Sequence, residues 1–353
     1  MKKALKIVGI VLACLVGFVL LFLAAASLAE YRPAAEEPVV LAGKGESAPT
    51  VGQSLTVLSW NMGYGGLSET ADFFMDGGTG VRTQDKAQVQ KNTQAVADLI
   101  RSVDPDVAFL QEIDRNSTRS WHIDELTAVQ AANPAYQAAF AQNFRVLFMP
   151  YPWPPMGHID SGVATLTRFD AESARRIQLP CPFTWPVRTM NLKRCLLVER
   201  IPVEGSDREL VLVNLHLEAY DDGEGKLAQT NMLAELMQAE AEKGNYVIAG
   251  GDFNQSFSSV DTSMYPLRGG GLWECGELDA DAFGSGWQFL MDTTHPTCRS
   301  LDRAYDRSDP DFQFYMIDGF IVSENLAVES LETLDLDFVN SDHNPVRLTV
   351  TLR

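Results

Sequence analysis

The chain has 353 residues, of which 46% are hydrophobic and 21% charged, a composition typical of a globular protein with a sizeable core. Its formal net charge is −19. Because an acidic surface repels polyanions at long range, this charge disfavours broad, non-specific binding of nucleic acid. It does not exclude a local basic cleft.

The N-terminal segment predicts a membrane anchor. Lys2, Lys3 and Lys6 precede residues 7–26, which carry no charge and would form about 30 Å of helix, enough to cross a bilayer. This run is longer than the apolar core of a signal peptide, usually about 7–15 residues, so we expect an uncleaved anchor. The alternative is a signal peptide cleaved after the small residues at 27–29, which would release a secreted protein.

The charge distribution around this run predicts its orientation. Basic residues flank it only on the N-terminal side, so we expect a single-pass protein with a cytoplasmic N-terminus and an extracytoplasmic remainder. Without the three lysines, that remainder carries a charge of −22. Residues 30–53 are rich in proline and glycine and poor in bulky apolar residues, which indicates a linker. The predicted organisation is therefore an anchor at 1–29, a linker at 30–53 and one large domain at 54–353.

Four cysteines lie outside the predicted membrane segment: Cys181, Cys195, Cys275 and Cys298. An extracytoplasmic compartment permits disulfides, and four cysteines allow three pairings. We expect the local bridges Cys181–Cys195 and Cys275–Cys298. The spacing contains no CxxC pair that would indicate a zinc site.

The first predicted strands of the large domain end in polar residues. A short apolar run at 55–60 stops at Asn61, which is soon followed by glycines. A helix with apolar residues at helical spacing follows over 88–103, and the next strand, 107–110, ends at Gln111-Glu112. In α/β proteins, ligands bind at the carboxyl ends of strands.

The same pattern returns further along the chain. A helix at 125–132 and strands near 145–149, 162–167 and 194–202 form the middle of the domain. The strand at 209–217 carries His216 near its end. An amphipathic helix at 226–243 then leads into the strand at 246–251, which ends in two glycines and delivers Asp252 and Asn254.

The C-terminal region contributes three more polar residues. Residues 255–311, rich in Gly, Asp and Ser, are predicted to form loops over the site. The following strand, 312–322, contains Asp318 inside an apolar sequence, where an acid needs a partner or a metal. Asp342 and His343 immediately precede the last strand, 346–352.

Six short motifs in this order resemble those of the endonuclease/exonuclease/phosphatase superfamily. They are Ser59-Trp60-Asn61, Leu110-Gln111-Glu112, Asn214-Leu215-His216, Gly251-Asp252-Phe253-Asn254, Ile317-Asp318-Gly319 and Ser341-Asp342-His343. The superfamily includes deoxyribonucleases, abasic-site endonucleases, inositol-phosphate 5-phosphatases and neutral sphingomyelinases. The resemblance implies a four-layer α/β sandwich, with two mixed β-sheets packed face to face, helices outside, and an active site at one end.

The resemblance also implies hydrolysis of a phosphoester with Mg²⁺ or Mn²⁺. Glu112 would be the main carboxylate ligand of the metal, with Asn61 and Asp342 near the ion. Carboxylate and amide oxygens suit such hard cations, which neutralise and polarise a phosphodiester. Some members carry an acid at the position of Gly63, so the number of metal ions stays open.

The remaining motif residues would be catalytic. Asp252 and Asn254 would handle the attacking water and the phosphoryl oxygens, and His216 would be a second histidine facing the phosphate. His343 would be the catalytic histidine with Asp318 as its carboxylate partner, a pair suited to holding a proton near neutral pH. Attack by water would be in line, without a covalent intermediate, and the proton acceptor would be either Asp252 or His343.

Three substrate classes stay open. A lipid-headgroup phosphodiester, as in sphingomyelinases, is favoured by the anchor and the acidic surface, and the aromatic loop at 151–156 is either an interfacial loop or an ordinary one. Nucleic acid, the substrate of an extracellular nuclease, is favoured by the histidines and disfavoured by the charge. A soluble phosphomonoester is third. Residues 72–78 are either a rim loop or a plain surface loop.

Two further expectations concern the protein as a whole. We expect a monomer that reaches the membrane through its N-terminal helix. A catalytically inactive surface module is the non-enzyme alternative, but it predicts damaged motifs, whereas all the acids and histidines of the motifs are present.

Overall fold

The computed structural model describes residues 1–83, 85–221 and 223–353. In this part of the chain the α-helices are α1 (Lys2–Ala29), α2 (Lys86–Val103), α3 (Glu125–Ala132) and α4 (Glu224–Glu242). The strands are β1 (Glu36–Val39), β2 (Ser54–Asn61), β3 (Val107–Asp114), β4 (Gln137–Met149), β5 (Gly157–Thr167), β6 (Ser173–Gln178), β7 (Cys195–Pro202), β8 (Glu209–His216), β9 (Tyr246–Asp252), β10 (Gln255–Phe257), β11 (Gly276–Leu278), β12 (Trp287–Leu290), β13 (Cys298–Arg299), β14 (Phe314–Tyr315), β15 (Asp318–Ser323), β16 (Leu326–Thr333) and β17 (Val346–Leu352).

Two mixed sheets form the body of the molecule. One has seven strands in the order β1-β6-β7-β8-β9-β15-β12, and the other has six in the order β16-β17-β2-β3-β5-β4. At the middle of each sheet two strands run parallel, β8 with β9 and β2 with β3. The carboxyl ends of these four strands therefore meet at one end of the two sheets.

The sheets pack face to face through a shared apolar core. Val57 and Phe109 of the six-stranded sheet are buried in the same cluster as Leu212, Ile248 and Phe320 of the seven-stranded sheet. Burial of this many large apolar side chains is the main favourable term in folding, at about 1.5–3 kcal/mol for each side chain.

Helices cover the outer faces of both sheets. Trp60 of β2 packs with Ile100 of α2 and Val129 of α3, and Leu233 of α4 packs against Val247 of β9. Because both faces of the central strand β9 are buried, β9 is a nearly continuous apolar run rather than an alternating one. The predicted four-layer α/β sandwich is confirmed.

The helix α1 is long and apolar enough to span a membrane, and none of its most apolar window is buried in the protein. The segment predicted to be a membrane anchor thus forms a helix of suitable length and composition. Signal sequences share this length and composition, so retention of the helix and its orientation stay predictions.

The segment 30–53 is not a free linker. It contributes β1, which pairs with β6 at the edge of the seven-stranded sheet, and further along Ala42 pairs with Ala138. The composition did not reveal this strand because a short strand containing proline is tolerated at a sheet edge, where it needs few apolar side chains.

The expected disulfides Cys181–Cys195 and Cys275–Cys298 are wrong, because all the cysteines are free. Cys195 begins β7 and is buried in a cluster between the sheets, whereas Cys181 lies in the preceding loop. Cys298 is buried in β13 beside His343, and Cys275 lies half-buried in a loop. Closeness in sequence does not give the directions of the Cβ atoms that a disulfide requires.

A buried acid in β7 predicts how stability depends on pH. Both carboxyl oxygens of Glu199 are buried without a hydrogen-bond partner among the described residues, and burial raises the pKa of Glu199 to about 8. In the unfolded chain the pKa of a glutamate is about 4.3. Between these values the folded state binds more protons than the unfolded state, so the free energy of unfolding falls as the pH rises from about 4 to about 8.

We predict that Glu199→Met raises the free energy of unfolding by about 2 kcal/mol at pH 8, because it removes an unsatisfied buried group. Glu199→Gln should remove much of the decline in stability between pH 5 and pH 8. Thermal unfolding of the full chain in detergent measures both effects, with the exposed Glu204→Gln as control. An unchanged pH dependence in Glu199→Gln would contradict the prediction.

Candidate active site at one end of the sandwich

The ends of the central strands bring the predicted site residues together. His216 ends β8 directly opposite Asp252 at the end of β9, and Asp252 in turn pairs with Asp318 at the start of β15. The other predicted residues come from β2, β3 and the loops after β9 and before β17. Six of the eight line one cavity: Glu112, His216, Asp252, Asn254, Asp342 and His343.

Asp252 is the centre of the hydrogen-bond network. Its Oδ2 accepts a hydrogen bond from Asn61 Nδ2 at 2.9 Å and lies 3.4 Å from His216 Nε2 and 3.8 Å from His343 Nε2. Its Oδ1 accepts the backbone N–H of Asn254 at 2.9 Å. Burial raises the pKa of Asp252 to about 7, with a further contribution from the nearby charge of Asp318. This carboxyl group is therefore suited to exchanging a proton near neutral pH.

His343 is held in place and kept protonated by its neighbours. Its Nδ1 lies 2.8 Å from Asp318 Oδ2, which makes Nδ1 the donor and leaves Nε2 on the side of Asp252. Trp60 Nε1 donates to the His343 carbonyl at 2.9 Å. Burial acts to lower the pKa of His343, but the charge and hydrogen bond of Asp318, together with the neighbouring Cys298 and Asp342, outweigh it, and the pKa lies well above its usual range. The ring is thus a cationic hydrogen-bond donor.

His216, in contrast to His343, favours the neutral form of the ring. Burial, followed by the positive charge of Arg194, holds the pKa of His216 well below its usual range. The neutral ring faces Asp252 through Nε2, and within the part of the chain that the structure describes its buried Nδ1 has no hydrogen-bond partner. Arg194 donates to the His216 carbonyl at 3.1 Å and lies 3.3 Å from Glu218. The site therefore combines one charged and one neutral histidine around a single carboxyl group.

The backbone at the site is held in unusual conformations. Glu112 and Asn254 have φ values of 50° and 52°, a region that residues with side chains rarely adopt. Gly251 has φ of 144°, and a Cβ there would overlap the Leu215 carbonyl of the neighbouring strand. Such strain persists only where the surroundings enforce it, and it is concentrated at functional sites. The glycine before Asp252 is thus required by the approach of β8.

Gly63 lies directly behind Asp342. A Cβ on Gly63 would stand 2.9 Å from Asp342 Oδ1, and φ at this residue is 52°. An acidic side chain, which some superfamily members carry here, would not fit without displacing Asp342. The glycine at position 63 therefore agrees with the lack of room for a side chain beside Asp342.

A polar bridge between the sheets supports the site from beneath, and sequence reasoning did not assign it. Gln111 of β3 donates to Asn214 Oδ1 of β8 at 2.8 Å, and Asn214 donates to the Ala164 carbonyl at 2.8 Å. Both side chains are fully buried. The available signal was a polar residue inside each apolar strand, which in a buried strand requires a partner.

Glu112 and Asp342 are the residues that could hold a divalent cation through carboxylate oxygens at the cavity. Burial raises the pKa of Asp342 to about 6, and among the nearby charges that of Glu112 raises it further. Two carboxylates that repel each other in a buried cavity favour a hard cation with oxygen ligands. Asn61 donates to Glu112 at 3.3 Å, and its Oδ1 accepts the Gly63 N–H, so its role as a ligand stays a prediction.

Two other groupings near the site suit a metal less well. Potential ligand atoms of Asp252, Asp318 and His343 lie within 4.8 Å of one another, but two of these residues already share a hydrogen bond. Cys298 groups with Asp342 and His343, yet burial raises the pKa of its thiol to about 12, which disfavours the thiolate that metals bind.

The cavity has a volume of about 480 Å³, and beyond its polar residues it is largely apolar. The apolar part of its wall consists of aromatic, methionine and aliphatic side chains: Leu67, Phe73, Phe74, Met75, Phe144, Met149, Tyr151, Met156, Phe183, Val187, Met190, Leu192, Tyr220, Trp273, Leu301, Tyr315 and Ile317. Such a cavity suits a ligand with a polar reactive group and an apolar body.

The loop at 72–78, for which the sequence left two readings, forms part of this wall. Asp72 closes the loop by accepting the backbone N–H of Gly80 at 2.6 Å. Asp76 accepts a hydrogen bond from the Tyr220 hydroxyl at 3.1 Å, which joins the loop to the segment after β8. The loop is therefore a rim of the cavity.

Comparison with known proteins identifies the family. The sequence matches the model of the endonuclease/exonuclease/phosphatase family over residues 58–343. The chain belongs to this family. Endonuclease/exonuclease/phosphatase proteins are hydrolases of phosphoester bonds, they include phosphodiesterases, nucleases and phosphatases, and they generally depend on a divalent metal. Comparison with curated protein sequences gave no match.

Solved structures of the family share the fold at low sequence identity. A member from Beutenbergia cavernae is 18% identical, with a TM-score of 0.59 over 85% of this chain and 72% of that chain. A member from Bacteroides thetaiotaomicron is 18% identical, with a TM-score of 0.53 over 85% and 98% of the two chains. TDP2 from D. rerio, solved with a single-strand DNA product, is 16% identical, with a TM-score of 0.51 over 85% and 99%.

We predict that Asp318→Asn lowers kcat for bis-p-nitrophenyl phosphate by about 100-fold or more, because His343 loses the charge that keeps it protonated and oriented. KM should change little, since Asp318 does not line the cavity. The exposed Asp311→Asn is the matched control. A loss confined to KM, or equal losses in both variants, would contradict the assignment.

Proposed function

We propose that this family member is a divalent-metal-dependent phosphodiesterase that cleaves a lipid-headgroup phosphodiester on the outer side of a membrane. The cavity is the observation that carries the proposal. It combines Glu112, Asp252 and His343 with a large aromatic and methionine-rich wall. Methionine side chains adapt their shape readily, which suits a wall that receives a flexible hydrocarbon chain.

Glu112 and Asp342 would hold Mg²⁺ or Mn²⁺, with Asn61 beside them. A bound ion would neutralise the charge of the phosphodiester and polarise it toward attack. The oxygen donors of these residues, and the mutual repulsion of the two carboxylates, support this assignment.

The remaining residues would position and transfer protons. Asp252 would orient the attacking water and accept its proton, held in place by Asn61 and the N–H of Asn254. His343, kept protonated by Asp318, would donate a hydrogen bond to a phosphoryl oxygen. His216 would contact the phosphate on the opposite side of Asp252. Water would attack phosphorus in line while the opposite P–O bond to the leaving alkoxide breaks, without a covalent intermediate, and the alkoxide would take a proton from solvent.

The pairing of basic residues argues against nucleic acid as the substrate. Of the arginines in the cavity wall, Arg119 is paired with Asp114 at 2.9 Å and Arg194 with Glu218 at 3.3 Å. Arg299 is buried and donates to the carbonyls of Ser68 and Ser300. Proteins that bind nucleic acid need basic side chains free to contact phosphates. The net charge of −19 acts in the same direction. A soluble phosphomonoester would leave the apolar wall without a role.

We also propose where the protein is located and that it is a monomer. The helix α1 would remain as a single-pass anchor, with its N-terminus in the cytoplasm and the catalytic domain outside, and the protein would act as a monomer. The lysines before the apolar run support this orientation.

Removal of divalent metal should abolish hydrolysis of bis-p-nitrophenyl phosphate by the full chain in detergent, and Mg²⁺ or Mn²⁺ should restore it. Glu112→Gln should weaken Mn²⁺ binding measured by calorimetry and lower kcat by about 100-fold or more, because the ion loses a charged ligand. The exposed Glu46→Gln is the matched control. Full activity after exhaustive treatment with EDTA would refute the metal dependence.

The substrate class is tested by comparing sphingomyelin in mixed micelles, bis-p-nitrophenyl phosphate and plasmid DNA. We expect hydrolysis of the lipid, and Phe183→Ser should lower kcat/KM for the lipid relative to the chromogenic diester by about tenfold, since an apolar contact is lost. The exposed Leu227→Ser on α4 is the control. Hydrolysis of DNA without hydrolysis of the lipid would support the nuclease instead.

A further inference from the structure

We propose that an exposed apolar surface beside the cavity mouth inserts into the outer leaflet of the bilayer that holds α1. This surface, here called the interfacial surface, consists of Leu147, Phe148, Tyr151, Trp153, Trp185 and Val187. It goes beyond the proposed chemistry but rests on one part of that proposal, the retention of α1 in a membrane.

The side chains of this surface are unusually exposed for their type. Trp153 is 87% exposed and Tyr151 is 69% exposed at the tip of the β4–β5 hairpin. Single exposed apolar residues are common, but a group of large ones beside a cavity indicates a contact with another apolar phase.

The hairpin and the loop before β7 form one continuous feature. Met149 at the base of the hairpin and Met190 in the loop pack against the same apolar cluster. The backbone N–H of Lys193 donates to the Asn143 carbonyl at 2.6 Å, which fixes the loop against β4. Tyr151 packs edge-on against Phe74, with ring centroids 5.9 Å apart.

The end of α1 is docked on this same loop. Trp185 Nε1 donates to Ser27 Oγ at 2.9 Å, in the last turn of α1. The Glu30 carboxylate, whose side chain is only 2% exposed, accepts from Arg188 at 3.0 Å and lies 3.3 Å from Lys193. The anchor therefore leaves the membrane directly at the interfacial surface.

The position of Trp185 sets the height of the surface relative to the bilayer. A tryptophan bonded to the last turn of a spanning helix lies at the membrane–water interface, where tryptophan and tyrosine are enriched because one end of the ring system is apolar and the other polar. The same loop carries Val187 and packs against β4, which includes Leu147 and Phe148, so the bilayer is the partner that faces these side chains as well.

The interfacial surface and the cavity share residues. Tyr151 and Val187 belong to both, so the cavity mouth would open at the surface of the bilayer. A lipid could then move from the leaflet into the cavity while its chain stays in an apolar environment. The docking would limit the enzyme to lipids of the leaflet that faces the domain.

Depth-dependent quenching tests the insertion directly. A cysteine at Trp153→Cys and another at Val51→Cys are labelled with an environment-sensitive fluorophore in the full chain in proteoliposomes, and labelled wild type gives the background from native cysteines. Val51 lies just before β2, whose other end carries the site, and its side chain is 48% exposed. Nitroxide-labelled phosphatidylcholine should quench the label at 153 at least threefold more than the label at 51. Equal quenching at both positions would overturn the proposal.

An activity comparison separates docking from chemistry. The triple variant L147S/F148S/W153S changes only residues outside the cavity wall. Hydrolysis of sphingomyelin in vesicles should fall at least fivefold, while hydrolysis of bis-p-nitrophenyl phosphate in detergent serves as the internal reference. Equal activity of variant and wild type on vesicles would count against docking. If wild type cleaves the chromogenic diester but not the lipid, the proposed substrate fails, and the quenching experiment still decides the docking.

Discussion

Burial of acidic side chains between the two sheets is the constraint on which the site depends. A buried carboxylate without a partner is costly, so these acids need hydrogen-bond donors or charged groups beside them. Asp318 is held by His343, and Asp252 by Asn61 and the N–H of Asn254. The negative charge of Glu112 instead raises the pKa of the buried Asp342. Burial thus perturbs the pKa values of Asp252 and Asp342, and perturbed pKa values are typical of functional sites.

The fold supplies the geometry that makes this arrangement possible. Two parallel strand pairs end at the same place, and the buried bridge from Gln111 to Asn214 keeps the two sheets in register beneath them. Gly251 allows β9 to approach β8 closely enough for Asp252 to lie opposite His216. Small changes in sheet packing would separate His343, which precedes β17 of the six-stranded sheet, from Asp252 of the seven-stranded sheet.

The segment before β7 contacts both the cavity and the end of α1. Its residues line the apolar wall of the cavity, hold Glu30 and contact the last turn of α1. A helix joined to the domain by a free linker could take any angle to the cavity. Docking of the end of α1 beside the cavity mouth removes this freedom, and the edge strand β1 then carries the chain into the seven-stranded sheet.

The sequence by itself determined the candidate anchor, the order of the main helices and strands, the family and the eight candidate site residues, because apolar periodicity and short motifs are local signals. Only the tertiary structure decided which of these residues touch, that the cysteines are free, that residues 36–39 pair with β6, and that an apolar wall faces the catalytic groups. These features depend on side-chain directions and on contacts between residues more than a hundred positions apart, as for Asn61 with Asp252 or Trp185 with Ser27. Local pattern carries no information about such contacts, because one sequence spacing is compatible with many relative placements of the elements that it joins.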